Sequence, residues 1–180
     1  MIYFKTKRLI FRDWKASDIP KFQKMNADVD VRRYYEVKEV DYETSKTRAI
    51  EFQKQLEDRG FGFFVVEIKR TGEFLGVMGL KVLDENGPFK LEIFPCVEVR
   101  WKFMKKYWNQ GYATEAGVGL IRFVERNTNI HELYALFPKK NFVIKNVVEK
   151  LGMEHHSDFN HPLITKGHQL RPFTVYHRKI

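Results

Sequence analysis

The most constraining stretch of this chain lies between residues 97 and 124, where the apolar side chains change their spacing. Val97-Glu-Val-Arg-Trp101 alternates as a strand does, and a short segment then leads to Gly111. Beyond it, small or apolar residues fall at 113, 116, 117, 120, 121 and 124, the stripe of an amphipathic helix. Gly111 and Ala113 let a ligand approach backbone N–H groups that have no partner inside the helix. The helix dipole adds about half a positive charge at the same point. Such a terminus suits an anion, and a pyrophosphate in particular. The segment is neither GxxxxGK[ST] nor GxGxxG followed by an acidic residue, so no P-loop or dinucleotide fingerprint is present. A phosphate-bearing ligand that needs no metal is the expectation. An ordinary strand-to-helix turn, with Gly111 merely relieving strain, would share the pattern.

The flanking sequence supplies the rest of the architecture. Leu9 to Phe11 reads as a short strand, and Ala16-Ser17-Asp18 as a cap ahead of a helix with Ile19 and Phe22 on one face. A second helix is expected from Tyr42 to about Asp58, stopped by Gly60. Phe61 to Ile68 and Phe74 to Val82 flank the turn Arg70-Thr71-Gly72-Glu73 as a hairpin. A third run, Leu91 to Trp101, follows the Asp84 to Pro88 turn, with Pro95 marking a bend or an edge. Leu133 to Phe137 reads as a buried strand. Ile144, Val147, Val148 and Leu151 mark a helix stopped by Gly152, and Phe173 to Tyr176 a final strand. Antiparallel strands early and β-α-β-α late predict an α+β, three-layer α/β/α architecture. Its central sheet is mixed and mostly antiparallel, with helices on both faces. Residues 1–180 read as one domain without a linker.

Composition narrows the function classes. A chain of 180 residues needs no metal or disulfide staple to fold, and its single cysteine offers neither a bridge nor a cysteine zinc site. No signal pattern and no apolar run of membrane-spanning length is visible, so a cytoplasmic protein is expected. The net charge of +9 is concentrated late, with 13 basic and 6 acidic residues between 101 and 180. That balance attracts an anionic cofactor or acidic substrates, or simply reflects solvated lysines. Nucleic acid is not expected as a partner, because charge and aromatics are unaccompanied by a binding motif. The histidines at 155, 156, 161 and 168 lack metal-ligand spacing, so no metal is expected. Cys96 reads as a small buried side chain.

Several segments together resemble the GNAT superfamily of acyl-CoA N-acyltransferases, nearest the branch of the ribosomal-protein alanine N-acetyltransferases. They are Thr6-Lys-Arg-Leu-Ile-Phe-Arg12, Gly62 to Glu67, Thr71 to Leu80, Tyr107 to Ala116, and Asn141 to Met153, in family order. The resemblance covers nearly the whole chain. It implies an acetyltransferase that moves an acetyl group from acetyl-CoA to a primary amine, either a protein N-terminus or a small molecule, by direct attack.

Site roles carry over residue by residue. The family's Q/R-x-x-G-x-G/A loop falls on Trp108, Asn109, Gln110, Gly111, Tyr112 and Ala113, with Trp108 in place of the usual Gln or Arg. Its backbone, with the Thr114 hydroxyl, is expected to hold the CoA pyrophosphate. Trp101, Lys102 and Phe103 are expected to pair with pantetheine, and Asn141 to hydrogen-bond the same arm. Glu98 matches the strand carboxylate proposed as general base, and alternation turns it away from Val97 and Val99. As a bare residue it could equally be a surface glutamate. The positions where the family often carries a Tyr or Ser to protonate the leaving thiolate hold Val148 and Ile144, so water or Tyr134 is expected to serve. The tail from Asp158 to Arg171 resembles one found in part of this branch, and its His161, His168 and Arg171 are candidates for the acceptor pocket, or for capping and packing within a long loop. The competing reading, motivated by the missing Tyr and Ser, is a non-catalytic CoA-binding or regulatory module of the same fold.

Overall fold

A computed structural model describes residues 1–34 and 41–180. The elements in chain order are β1 (Ile2–Lys5), β2 (Leu9–Arg12), α1 (Ile19–Ala27), α2 (Tyr42–Arg59), β3 (Phe63–Ile68), β4 (Phe74–Leu83), β5 (Cys96–Phe103), α3 (Tyr112–Asn127), β6 (Glu132–Pro138), α4 (Phe142–Lys150), β7 (Glu154–Asn160) and β8 (Pro172–Lys179). The eight strands form one sheet in the order β1-β2-β3-β4-β5-β6-β8-β7. Each neighbouring pair is antiparallel except β5 with β6.

Local chemistry accounts for the helix ends. Asp41 caps α2 by accepting from the Thr44 N–H at 2.7 Å, and Gly60 closes it with φ of 72°. Asn141 caps α4, its side-chain oxygen accepting from the Ile144 N–H at 3.1 Å. The sheet buries both faces. Val65 and Val77 pack against Phe22 and Met25 of α1, while Phe64, Val66, Val99 and Phe103 face the core that includes Leu120 and Val124 of α3 and Val148 of α4. Gly117 makes the α3–α4 approach possible, since a Cβ there would lie 2.5 Å from a Leu151 methyl.

Three expectations shift. The third strand does not begin at Leu91; it starts at Cys96, directly after a cis Phe94–Pro95 bond, and runs two residues further, to Phe103. Residues Ile2–Lys5 form an edge strand that the apolar pattern did not announce. Asp158 to Asn160 belong to β7 rather than to a long loop, and the loop proper begins at His161.

The parallel pair matters most for function. The β5–β6 ladder is registered at Glu98↔Tyr134. Among the described residues no further pair is registered beyond it, and a cavity opens between Val99–Trp101 on one side and Ala135–Pro138 on the other.

Candidate functional site

Two cavities lie along β5. One, of about 400 Å³, runs from Trp101, Lys102 and Phe103 to the first turn of α3 and along α4 as far as Lys150. The other, of about 300 Å³, extends from Glu98 and Trp101 toward the loops carrying Phe89 and His161. They share Tyr34, Trp101, Asn141 and Ile144 as lining residues, so they meet at that wall.

The first cavity ends where a phosphate would sit. Asn109 and Gly111 both adopt left-handed backbone conformations, at φ of 60° and 76°. Between them the Gln110 carbonyl accepts a hydrogen bond from Arg8 Nη1 at 3.0 Å. The first N–H of α3 to find an intrahelical partner is that of Glu115, donating to the Gly111 carbonyl at 3.1 Å. The N–H groups of Tyr112, Ala113 and Thr114 precede it and line this end of the cavity. The loop is tied down from outside. Glu115 accepts from the Thr6 hydroxyl at 2.6 Å, from the Arg8 N–H at 2.7 Å and from Arg8 Nε at 2.5 Å, and the Arg8 guanidinium lies 4.3 Å from the Tyr112 ring centre. Against the opposing effect of burial, these donors hold the Glu115 carboxyl below its usual range.

Every residue expected to contact the cofactor lines this cavity except Gln110, whose side chain donates to the Lys106 carbonyl at 2.9 Å. Trp108 folds back on the strand, its indole N–H donating to the Phe103 carbonyl at 2.9 Å. Asn141 uses its side-chain oxygen as the α4 cap, which leaves its amide N–H groups to face a ligand. Lys102 turns to the α1 side and donates to Asn26 Oδ1 at 2.8 Å; burial, with Arg100 and Arg48 nearby, lowers its ammonium to about 8.

Glu98 borders the second cavity at 5% exposure. Burial raises its carboxyl above the ordinary 4.5, opposed by Arg100, by Lys81 and by a hydrogen bond from the Leu136 backbone N–H. Arg100 Nε stands 3.7 Å from Glu98 Oε1, and Lys81 is its cross-strand partner. A buried carboxylate whose pKa is raised, beside open space, is a better proton acceptor than an ordinary exposed glutamate.

The other candidates are not all brought together. His161 lines the second cavity. His168 and Arg171 do not: His168 Nδ1 accepts from the Leu170 N–H at 3.2 Å, and the Arg171 carbonyl accepts from the His161 N–H at 2.8 Å, closing the loop. Tyr134 borders neither cavity; its hydroxyl donates to Glu132 at 2.7 Å, and burial together with that carboxylate pushes it up to about 12. Cys96 is buried, and its thiol is pushed up to about 12 by burial first, then by Glu98 and Glu132. Sequence reasoning missed Tyr34, Lys81, Phe89 and Phe159, which line the site from four separate segments with no local motif to announce them. Among the described residues no group of three or more His, Cys, Asp or Glu side chains is placed to hold a metal, and no helix is long and apolar enough to cross a membrane.

Comparison with known proteins agrees with this geometry. The family model for the acetyltransferase (GNAT) domain matches residues 8–154. The uncharacterized protein YkkB of Bacillus subtilis (strain 168) is 30% identical over 154 residues, covering 84% of this chain and 80% of that protein. The solved GNAT-family acetyltransferase from Bacillus anthracis superposes with a TM-score of 0.80 at 21% identity, covering 99% of this chain and 98% of that one. RimL, the ribosomal L7/L12 alpha-N-protein acetyltransferase, solved in complex with coenzyme A, also reaches 0.80 at 13% identity, over 100% of this chain and 98% of its own. With the family model spanning both the Gly111 loop and Glu98, the chain belongs to the GNAT family of acyl-CoA-dependent acetyltransferases.

Proposed function

We propose that this protein transfers an acetyl group from acetyl-CoA to a primary amine, on a protein N-terminus or a small molecule, by direct attack within one ternary complex. The observation that carries the reading is the meeting of the two cavities at Tyr34, Trp101, Asn141 and Ile144. One ends at the open N-terminus of a 16-residue helix, and the other holds Glu98 in its lining. Acetyl-CoA supplies the acetyl group as an activated thioester. The N–H groups of Tyr112, Ala113 and Thr114 hold its pyrophosphate, the Asn141 amide donates to the pantetheine arm, and a backbone N–H of β5 polarises the thioester carbonyl. Glu98, acting through water, takes the proton that the amine loses. A nitrogen–carbon bond forms, the carbon–sulfur bond breaks, and the sulfur leaves as CoA. Val148 is fully buried and Tyr134 is held by Glu132, so the proton for the thiolate comes from water or from Tyr34, a residue that lines both cavities. A thiol pKa near 8.5 makes either source sufficient.

The finer placement, beside the ribosomal-protein alanine N-acetyltransferases, belongs to the same proposal and is supported by the ordered sequence segments from Thr6 to Met153 that resemble that branch. So do a single transferase domain over residues 1–180 and action in the cytoplasm.

Calorimetric titration of acetyl-CoA into the wild type and Gly111→Glu tests the reading. At φ of 76° any side chain is strained, and one at Gly111 would start 3.5 Å from Arg8 Nη2, disturbing the loop that is to hold the pyrophosphate. Binding by the wild type, lost in the variant, is expected, followed by amine-dependent thiol release. No binding by folded wild type overturns the reading. Binding without transfer to any amine supports the non-catalytic module instead.

A further inference from the structure

The cavity that Glu98 lines is also walled by rings. Phe89 comes from the connection between β4 and β5, Phe159 from the end of β7, His161 from the residues just beyond it, and Phe173 from the start of β8. They contact one another: centroids lie 4.8 Å apart for Phe89 and His161, 4.8 Å for His161 and Phe173, and 5.5 Å for Phe159 and Phe173. Leu163 and Ile164 extend the same wall. The cavity meets the CoA cavity at Tyr34, Trp101, Asn141 and Ile144.

This arrangement constrains the acceptor. A thioester arriving through the first cavity can be attacked only at the junction, so the amine must sit there and the rest of its molecule must lie among the rings. About 300 Å³ is at the small end for ligand sites and holds roughly one ring on a short arm. Glu98 is the single carboxylate among the described lining residues, and Lys81 and Arg100 stand beside it. A second ammonium on the same acceptor would therefore be desolvated among the rings with no carboxylate of the described lining to meet it.

We propose that the acceptor is a primary amine borne on an apolar, ring-sized body, and that Phe89, Phe159, His161 and Phe173 select it. The chemistry fits an arylalkylamine or the N-terminal residue of a peptide with an aromatic side chain. The inference rests on the acetyltransferase reading above.

The test is a panel of acceptors with acetyl-CoA and thiol-release detection: phenethylamine, a Phe-initiated peptide, a Ser-initiated peptide and spermidine. At least one of the first two is expected to exceed both of the others by tenfold or more in kcat/KM, the scale on which an apolar pocket discriminates. Whichever of the two leads identifies the source. Phe159→Ala is expected to raise KM for that acceptor at least fivefold while leaving KM for acetyl-CoA unchanged, a split that general loss of structure would not produce. Equal or better use of spermidine, for which the rings could supply cation–π contacts, or of the Ser-initiated peptide overturns the proposal. Calorimetry separates the two levels. Acetyl-CoA binding without acetylation of either aromatic amine overturns the acceptor class alone, and absence of acetyl-CoA binding overturns the transferase reading together with it.

Discussion

Glu98 carries opposite demands in one side chain. Its burial disfavours the ionised form, so the native state with a charged Glu98 is less stable than it would be with a neutral group there. The sign follows from the raised pKa: the stabilising contribution is present while the carboxyl is protonated and is lost as pH rises through the folded-state value. Glu98→Gln is therefore expected to raise Tm at neutral pH. The same change removes the proton acceptor, and turnover at saturating substrates should fall by about 10² to 10⁴-fold, as is typical of general-base loss. In the wild type, kcat/KM should decline on acidification through a pKa above 4.5, and the variant should lack that limb. A turnover loss below about threefold would remove Glu98 from the mechanism. At this scale the sequence was informative where the backbone itself does the work. Gly111 is legible as the small residue that opens a helix because that role depends only on its neighbours. The Asn141 cap was not distinguished from a ligand contact, because one side-chain oxygen can serve either.

Among the elements, the least conspicuous join holds the first strands to α1. Arg12 on β2, at 5% exposure, donates from both terminal nitrogens to Asp18 at 2.7 and 2.9 Å and from Nε to Glu67 on β3 at 2.7 Å. Asp18 is fully buried and also accepts from the Lys15 N–H at 2.8 Å. Breaking such a set from one side leaves charge without compensation, which costs about 3–5 kcal/mol. Arg12→Met should lose stability on that scale in urea unfolding, and a loss under about 1 kcal/mol would show the cluster to be dispensable. Hydrophobic period made the central strands and all four helices readable. It failed at the two sheet edges, β1 and β7, for a common reason. Neither strand has a fully buried residue, and Glu-His-His-Ser-Asp-Phe-Asn carries no apolar alternation, so pairing with β8 rather than side-chain burial makes β7 a strand.

For the whole molecule, two cavities with a shared wall predict kinetics. Both substrates must be bound together, so initial-velocity lines should intersect, and no acetyl-enzyme should be trapped. Cys96 is the only thiol in the chain, and it is buried with its pKa pushed to about 12, which leaves it unreactive at neutral pH. Cys96→Ala should keep at least half the wild-type turnover. Parallel lines, or activity abolished with the fold intact, would reinstate a covalent route. What the sequence by itself determined is whatever depends on contacts within a turn or two: the switch from strand to helix around Gly111, the glycine stops at Gly60 and Gly152 and the placement of Glu98 on the less apolar face of its strand. Only the tertiary structure decided that, among the described residues, the β5–β6 ladder registers Glu98 with Tyr134 alone, and that Phe89, Phe159 and Phe173 gather around the cavity beside it. Those residues come from segments far apart along the chain. Their meeting is imposed by how the sheet and its connections pack, and no local preference of the residues themselves encodes it.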